Sequence, residues 1–363
     1  MMSYLQKPSA LKQGDKVAIV SLSRGLLWEQ FCAHQLELGK KRIEEMGLEV
    51  VFMPNALNGI ADLEAHPEKR ASDLKHAFKD TTISGIICAI GGIDGFKIFP
   101  YLMEDSEFKE LVKTSPKVFI GFSDTTNHHL MFYRLGVQSF YGPAFLTDFA
   151  EMDHQMLPYT QHHLQMLFWK EPLEIRSSDV WYEEREKFSP DQLGTPRNSH
   201  EEIHGFELLQ GTQNFSGRLL GWCIESLYEM LVGGGFPDQK LIYDKYQIFP
   251  TLEERKGKIL FIETSEERST PAFYAQMLRI FKERGIFDQI NGIFVGKPQN
   301  EIYYQEYKQV LCEIVDNPDL PILYNVNFGH AYPRCILPYN ALVAYDHNQK
   351  VLRFLESPFQ ESL

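Results

Sequence analysis

The chain lacks the marks of several large classes of protein. Its 363 residues include five cysteines, Cys32, Cys88, Cys223, Cys312 and Cys335, and no C-x-x-C pair, so neither a disulfide framework nor a zinc ribbon is indicated. Reduced, mostly buried thiols are expected. The longest apolar run, residues 83–90 (ISGIICAI), falls far short of the roughly eighteen residues that a membrane-spanning helix needs. The opening MMSYLQKPSA has a lone lysine and no apolar stretch, which is not a signal-peptide pattern, and a cytoplasmic location is expected. Positive charge is in deficit. With 36 Lys and Arg against 49 Asp and Glu the net charge is −13, and no local basic patch offsets it, so neither polymeric nucleic acid nor a membrane is an expected partner. The dinucleotide fingerprint G-x-G-x-x-G is absent, and the histidine pairs at 128–129 and 162–163 lack the i,i+4 spacing of helix-borne metal ligands. No cofactor and no metal are expected.

What is present is ordinary globular composition, 44% hydrophobic and 23% charged, in a chain long enough for two domains. The first half alternates short β-branched runs with helical patterns. Residues 16–21 (KVAIVS), 48–53 (LEVVFM), 83–90 and 117–120 (KVFI) read as strands, and 35–46 and 66–79 as helices, with a polar loop after Pro54. That alternation predicts an α/β fold with a mostly parallel sheet flanked by helices. Between about 173 and 207 the periodic apolar pattern gives way to charged and polar residues. The predicted division is an N-terminal domain over 1–172, a linker over 173–207 and a smaller C-terminal α/β domain of mixed strands over 208–363. Trp181 and Tyr182 are the linker's ligand-facing candidates.

Three segments can carry chemistry. Gly121-Phe122-Ser123-Asp124 follows a strand and leads into a helical stretch, a turn that thrusts a serine Oγ outward and lets the Asp124 N–H serve an oxyanion; a helix-capping Ser-Asp pair fits the same spacing. A serine needs a base and the base needs a carboxylate. Glu263, ending the strand KILFI, and His330, in the constrained loop NFGHAYP, are candidates, each with a bland alternative as a solvated acid and a loop histidine. The loop Gly91-Gly92-Ile93-Asp94-Gly95 can offer backbone N–H groups to an oxyanion or a phosphate.

Taken together, Ile90-Gly91-Gly92, the stretch IGFSD at 120–124 with FYGP at 140–143, GRLLG at 217–221, KILFIE at 258–263 and Gly329-His330 resemble, in order and spacing, the LD-carboxypeptidase and microcin-immunity family of serine peptidases. The resemblance implies an active site between the two domains. It implies a Ser-Glu-His triad falling on Ser123, Glu263 and His330, and an oxyanion hole on the backbone N–H groups of Asp124 and of Gly92 or Gly91. It also implies a homodimer and a small substrate, either a murein tetrapeptide or an acyl group in amide linkage to an adenylate-like moiety. In the immunity branch an aromatic stacks on the nucleobase, and Trp181 is the position matched to it. GGIDG departs from the family's common Gly-Gly-Tyr-Gly, and Trp222-Cys223 follows Gly221 where a second glycine is common. Arg334 is a candidate anion contact or a surface salt bridge. A ligand-binding protein on the same frame, and a nucleotide-dependent enzyme using GGIDG, are the competing readings.

Overall fold

The computed structural model describes residues 5–168 and 174–360. The expected boundary at 172/173 lies outside the described residues. Two sheets carry the fold. The first runs, edge to edge, Leu337–Pro338, Phe140–Tyr141, Val118–Gly121, Ile83–Cys88, Lys16–Val20 and Glu49–Phe52, parallel except for the first pair. Its central strands are β-branched and buried on both faces, as a sheet covered by helices requires. The helices Ala33–Glu45, Pro67–Lys79 and Thr126–Arg134 belong to this half, Pro67 occupying the first helical turn where its missing N–H costs nothing.

The second sheet has eight strands in the order Glu174–Ile175, Val351–Phe354, Leu342–Asp346, Asn214–Cys223, Lys258–Glu263, Gly292–Gly296, Ile322–Val326 and Glu207–Gln210. The run from Asn214–Cys223 to Ile322–Val326 is parallel, and antiparallel strands flank it. Expected to be the smaller, this sheet has more strands than the first.

Two other expectations are corrected. The polar stretch after Pro54 contains a short helix, Ile60–Ala65. The segment read as a linker supplies the edge strand Glu174–Ile175, the hairpin of Val180–Tyr182 with Ser199–Glu201, and the first residue of the other edge strand. Strands of two to four residues with exposed faces carry too few apolar positions for periodicity to register.

The halves interlock. Leu337–Pro338, from the second half of the chain, pairs antiparallel with Phe140–Tyr141 and becomes an edge of the first sheet. Tyr141 packs on Phe261 at a ring separation of 5.3 Å, and Phe261 on Phe328 at 5.7 Å, so aromatic contacts cross from one sheet to the other. This seam brings together the C-terminal ends of parallel strands from both sheets, where α/β folds hold their ligands.

Close approach of backbone is essential within the second sheet. A Cβ at Gly221 would lie 2.0 Å from the Phe261 carbonyl oxygen, which cannot retreat without breaking the parallel pairing. Gly221→Ala should therefore destabilise the chain by about 3 kcal/mol, the upper end for overpacking, read as a lowered midpoint in urea unfolding; an unchanged midpoint would show that the strands have slack.

Candidate active site

Ser123 sits where the strand Val118–Gly121 turns into the short turn Ser123–Thr125 and the helix Thr126–Arg134. Its φ is +65°, a left-handed conformation that a non-glycine residue keeps at a cost of order 1–3 kcal/mol, and only where its surroundings over-determine it. Two of those surroundings are visible. The Ser123 N–H donates to the Tyr141 hydroxyl at 3.2 Å, and Gly91 lies so close that a Cβ there would be 2.7 Å from Ser123 Oγ. The same hypothetical Cβ would be 3.2 Å from the Asp124 nitrogen, so the glycine loop and the start of the helix form one concave backbone surface around the serine. The buried Asp124 carboxylate fixes that arrangement by accepting from the Gly95 N–H at 2.8 Å and from the Asn127 amide.

Glu263 ends the strand Lys258–Glu263 and is buried. Its Oε1 accepts from the Tyr141 hydroxyl at 2.6 Å, and its Oε2 faces the His330 backbone N–H at 3.1 Å and His330 Nδ1 at 2.8 Å. Gly329, at φ +86°, permits this: a Cβ there would lie 2.4 Å from Glu263 Cγ. A continuous hydrogen-bonded path thus runs from Ser123 through Tyr141 and Glu263 to His330. Tyr141, within the FYGP block, is a member that spacing arguments do not single out.

The other ring nitrogen of His330, Nε2, lies 3.0 Å from Glu266 Oε2. With a carboxylate oxygen at each nitrogen the imidazole holds both protons: burial opposes the charge, but Glu263 and Glu266 push the pKa up to about 10. The hydrogen bond to His330 pushes the Glu266 carboxyl down to about 2. No hydrogen bond joins Ser123 Oγ to His330 in this conformation, although both line one cleft of about 380 Å³. Arg24, Phe31, Gly91, Gly92 and Phe188 line it too.

Two sequence expectations are corrected here. Trp181 does not line the cleft; it is 8% exposed and stacked on His200 at 4.2 Å, so that ring face is already covered. The aromatic offered to the cleft from that segment is Phe188, 40% exposed. Arg334 is not at the surface. It is fully buried, pairs with Asp148 at 2.8 Å, donates to the His330 carbonyl at 3.2 Å and lies over the rings of Phe122 and Tyr332 at 4.3 and 4.1 Å. It therefore braces the histidine loop. Cys223, Glu263 and His330 bring donor atoms within 4.8 Å of one another, the type of trio that can hold a metal. Both oxygens of the carboxylate and both ring nitrogens are already engaged, and burial pushes the thiol well above its ordinary pKa, so these donors suit a hydrogen-bonded network better.

A backbone-lined serine beside a buried carboxylate–histidine pair, at the seam of two α/β sheets, is the arrangement of a serine-type hydrolase. Residues 17–142 match the LD-carboxypeptidase N-terminal domain and 216–344 the LD-carboxypeptidase C-terminal domain. The chain belongs to the LD-carboxypeptidase family and is a carboxypeptidase-type hydrolase of the LD-carboxypeptidase and microcin-immunity kind. A crystal structure of an MccF-like protein from Streptococcus pneumoniae in complex with AMP superposes with a TM-score of 0.91 at 44% identity, covering 94% of this chain and 98% of that one. The Microcin C7 self-immunity protein MccF of Escherichia coli is 24% identical over 80% of this chain and 78% of its own length. A Bacillus subtilis protein named "Probable murein peptide carboxypeptidase" is 26% identical over 96% of this chain and 94% of its own.

Two outcomes are expected. Tyr141→Phe removes the hydroxyl that links Ser123 to Glu263 and should lower kcat/KM by about tenfold to a hundredfold through misplacement of the two groups, with circular dichroism unchanged; unaltered kinetics would make the hydroxyl incidental. The raised pKa of His330 means that its ion pairs stabilise the fold fully below the free-histidine value of about 6.5 and lose that contribution as pH rises towards 10. The thermal midpoint of the chain should therefore fall over that range by more than that of His330→Gln; parallel curves would contradict the assignment.

Proposed function

We propose that Ser123, Glu263 and His330 form a catalytic triad that hydrolyses the amide joining an aminoacyl or peptidyl group to an adenylate-like moiety. The observation that carries this reading is that Ser123 and His330 line one cleft, with Nδ1 of the histidine on the buried Glu263 and Tyr141 tying that carboxylate to the Ser123 backbone N–H. In the reaction the Oγ of Ser123 attacks the carbonyl as His330 Nε2 takes its proton. The oxyanion is held by the backbone N–H of Asp124 and that of Gly92 or Gly91, each such donor contributing on the order of 3 kcal/mol. His330 then returns the proton to the leaving nitrogen, and water releases the acyl group by the same steps in reverse. Glu263 keeps Nδ1 protonated and steadies the imidazolium.

The adenylate-type substrate is favoured over a murein tetrapeptide by two facts. The Streptococcus pneumoniae relative, alike over nearly its whole length, is a complex with AMP. Phe188 presents a partly exposed ring at the cleft, suited to stacking on a base. The proposed division of labour gives the serine to the unit within 1–172 and Glu263 and His330 to the unit within 208–363. Five free cysteines, four of them buried, fit a reducing cytoplasm.

The test is direct competition between a murein tetrapeptide and an aminoacyl sulfamoyl adenosine, with products identified by mass. The adenosine conjugate should be consumed first, and Ser123→Ala should abolish its hydrolysis. Preference for the tetrapeptide would overturn the substrate, and undiminished turnover by Ser123→Ala would overturn the triad.

A further inference from the structure

His330 Nε2 is the one ring atom free to serve Ser123, because Nδ1 is committed to Glu263. In this conformation Nε2 is occupied by Glu266. The two carboxylates differ in kind. Glu263 is completely buried, whereas the Glu266 side chain is 62% exposed and comes from the polar stretch that follows the strand Lys258–Glu263. Glu266 lines the cleft together with Ser123 and Gly92, and His330 is its one ion-pair partner among the described residues. Of the two arginines lining the cleft, Arg334 is held by Asp148 and Arg24 makes no ion pair with Glu266. Catalysis by the proposed triad thus requires Glu266 to give up its cation while it lines the same cleft as Ser123.

Resting on the triad reading above, we propose that Glu266 selects acyl groups that carry a free ammonium next to the scissile carbonyl. The substrate's ammonium replaces the imidazolium as the partner of Glu266, and Nε2 is uncovered for Ser123. An exposed carboxylate can make that turn at little cost, and the exchange keeps Glu266 paired with a cation while Glu263 keeps its hydrogen bonds from Tyr141 and from His330 Nδ1. The protons balance: as Glu266 turns away, the imidazolium passes its Nε2 proton to water, and the neutral ring then accepts the Ser123 proton. The groups facing the ring are Glu263 and Glu266 on its nitrogens, Cys223 and Glu225 beside it, and Arg334 on its own carbonyl. Removing Glu266 leaves Glu263 as the direct carboxylate partner, so the ring should lose its proton at lower pH.

The experiment compares alanyl sulfamoyl adenosine with its N-acetyl derivative. The intact chain should favour the free amine by tenfold or more in kcat/KM, and Glu266→Gln should collapse that ratio towards one. A ratio unchanged in Glu266→Gln overturns the proposal. A second readout does not need turnover. In Ser123→Ala protein, the His330 ring followed by NMR should titrate at lower pH when Glu266→Gln is added, and also when alanyl sulfamoyl adenosine is bound, but not with the N-acetyl derivative. Equal shifts with both ligands, or none with Glu266→Gln, overturn the ion-pair exchange. Failure of the intact chain to cleave either conjugate would instead overturn the reading under Proposed function, and the titration would still decide the role of Glu266.

Discussion

A carboxylate with 1% of its surface exposed leaves almost nothing of itself to water, so both oxygens must find partners within the fold, and Glu263 is matched by groups from different parts of the chain. One oxygen takes the hydroxyl of Tyr141, which stands in the first sheet; the other takes the ring and backbone of His330, in the loop beyond the second sheet's strand Ile322–Val326. Both partners are themselves buried. Satisfying these two oxygens therefore ties the first sheet to the His330 loop across the seam, and Ser123 is tied in because Tyr141 also receives its N–H.

The surrounding packing serves the same point. Phe261 lies between Tyr141 and Phe328, Phe122 meets the His330 ring edge-on at 5.0 Å, and Arg334 stacks over Phe122 while holding the His330 carbonyl. Arg197, paired with Glu151, lies over Tyr332 at 3.7 Å and continues this wall outward. Buried charges in such a wall are weak sources of net stability, but each restricts the positions its neighbours can take. The one partner of the histidine that is not restrained in this way is Glu266, on the solvent side.

Much of this was legible in the sequence, for physical reasons that differ by residue. Ser123 and Glu263 stand at or just beyond the end of a strand, and His330 lies in a loop bounded by Gly329 and Pro333, so local pattern makes them candidates, and the order and spacing of the five blocks that resemble the family single them out. The parallel strands were legible because burial on both faces leaves continuous apolar runs. Tyr141 was not, since its role is a contact 122 positions away along the chain, and an aromatic in an apolar strand is indistinguishable from core. Arg334 reads as a surface cation because Asp148, its partner, is 186 positions distant. Trp181 draws attention as an aromatic in a polar segment, yet the fold turns it inward onto His200 and leaves Phe188 at the cleft.

The central claim is that Ser123 is a nucleophile activated from the other half of the chain. Labelling of Glu266→Gln protein, in which no carboxylate holds the imidazolium at Nε2, with a fluorophosphonate, followed by intact mass and peptide mapping, tests it without knowledge of the substrate. The expected result is a single adduct on Ser123, formed far more slowly when Glu263→Gln is added. An adduct elsewhere, or equal rates in the two proteins, would contradict it.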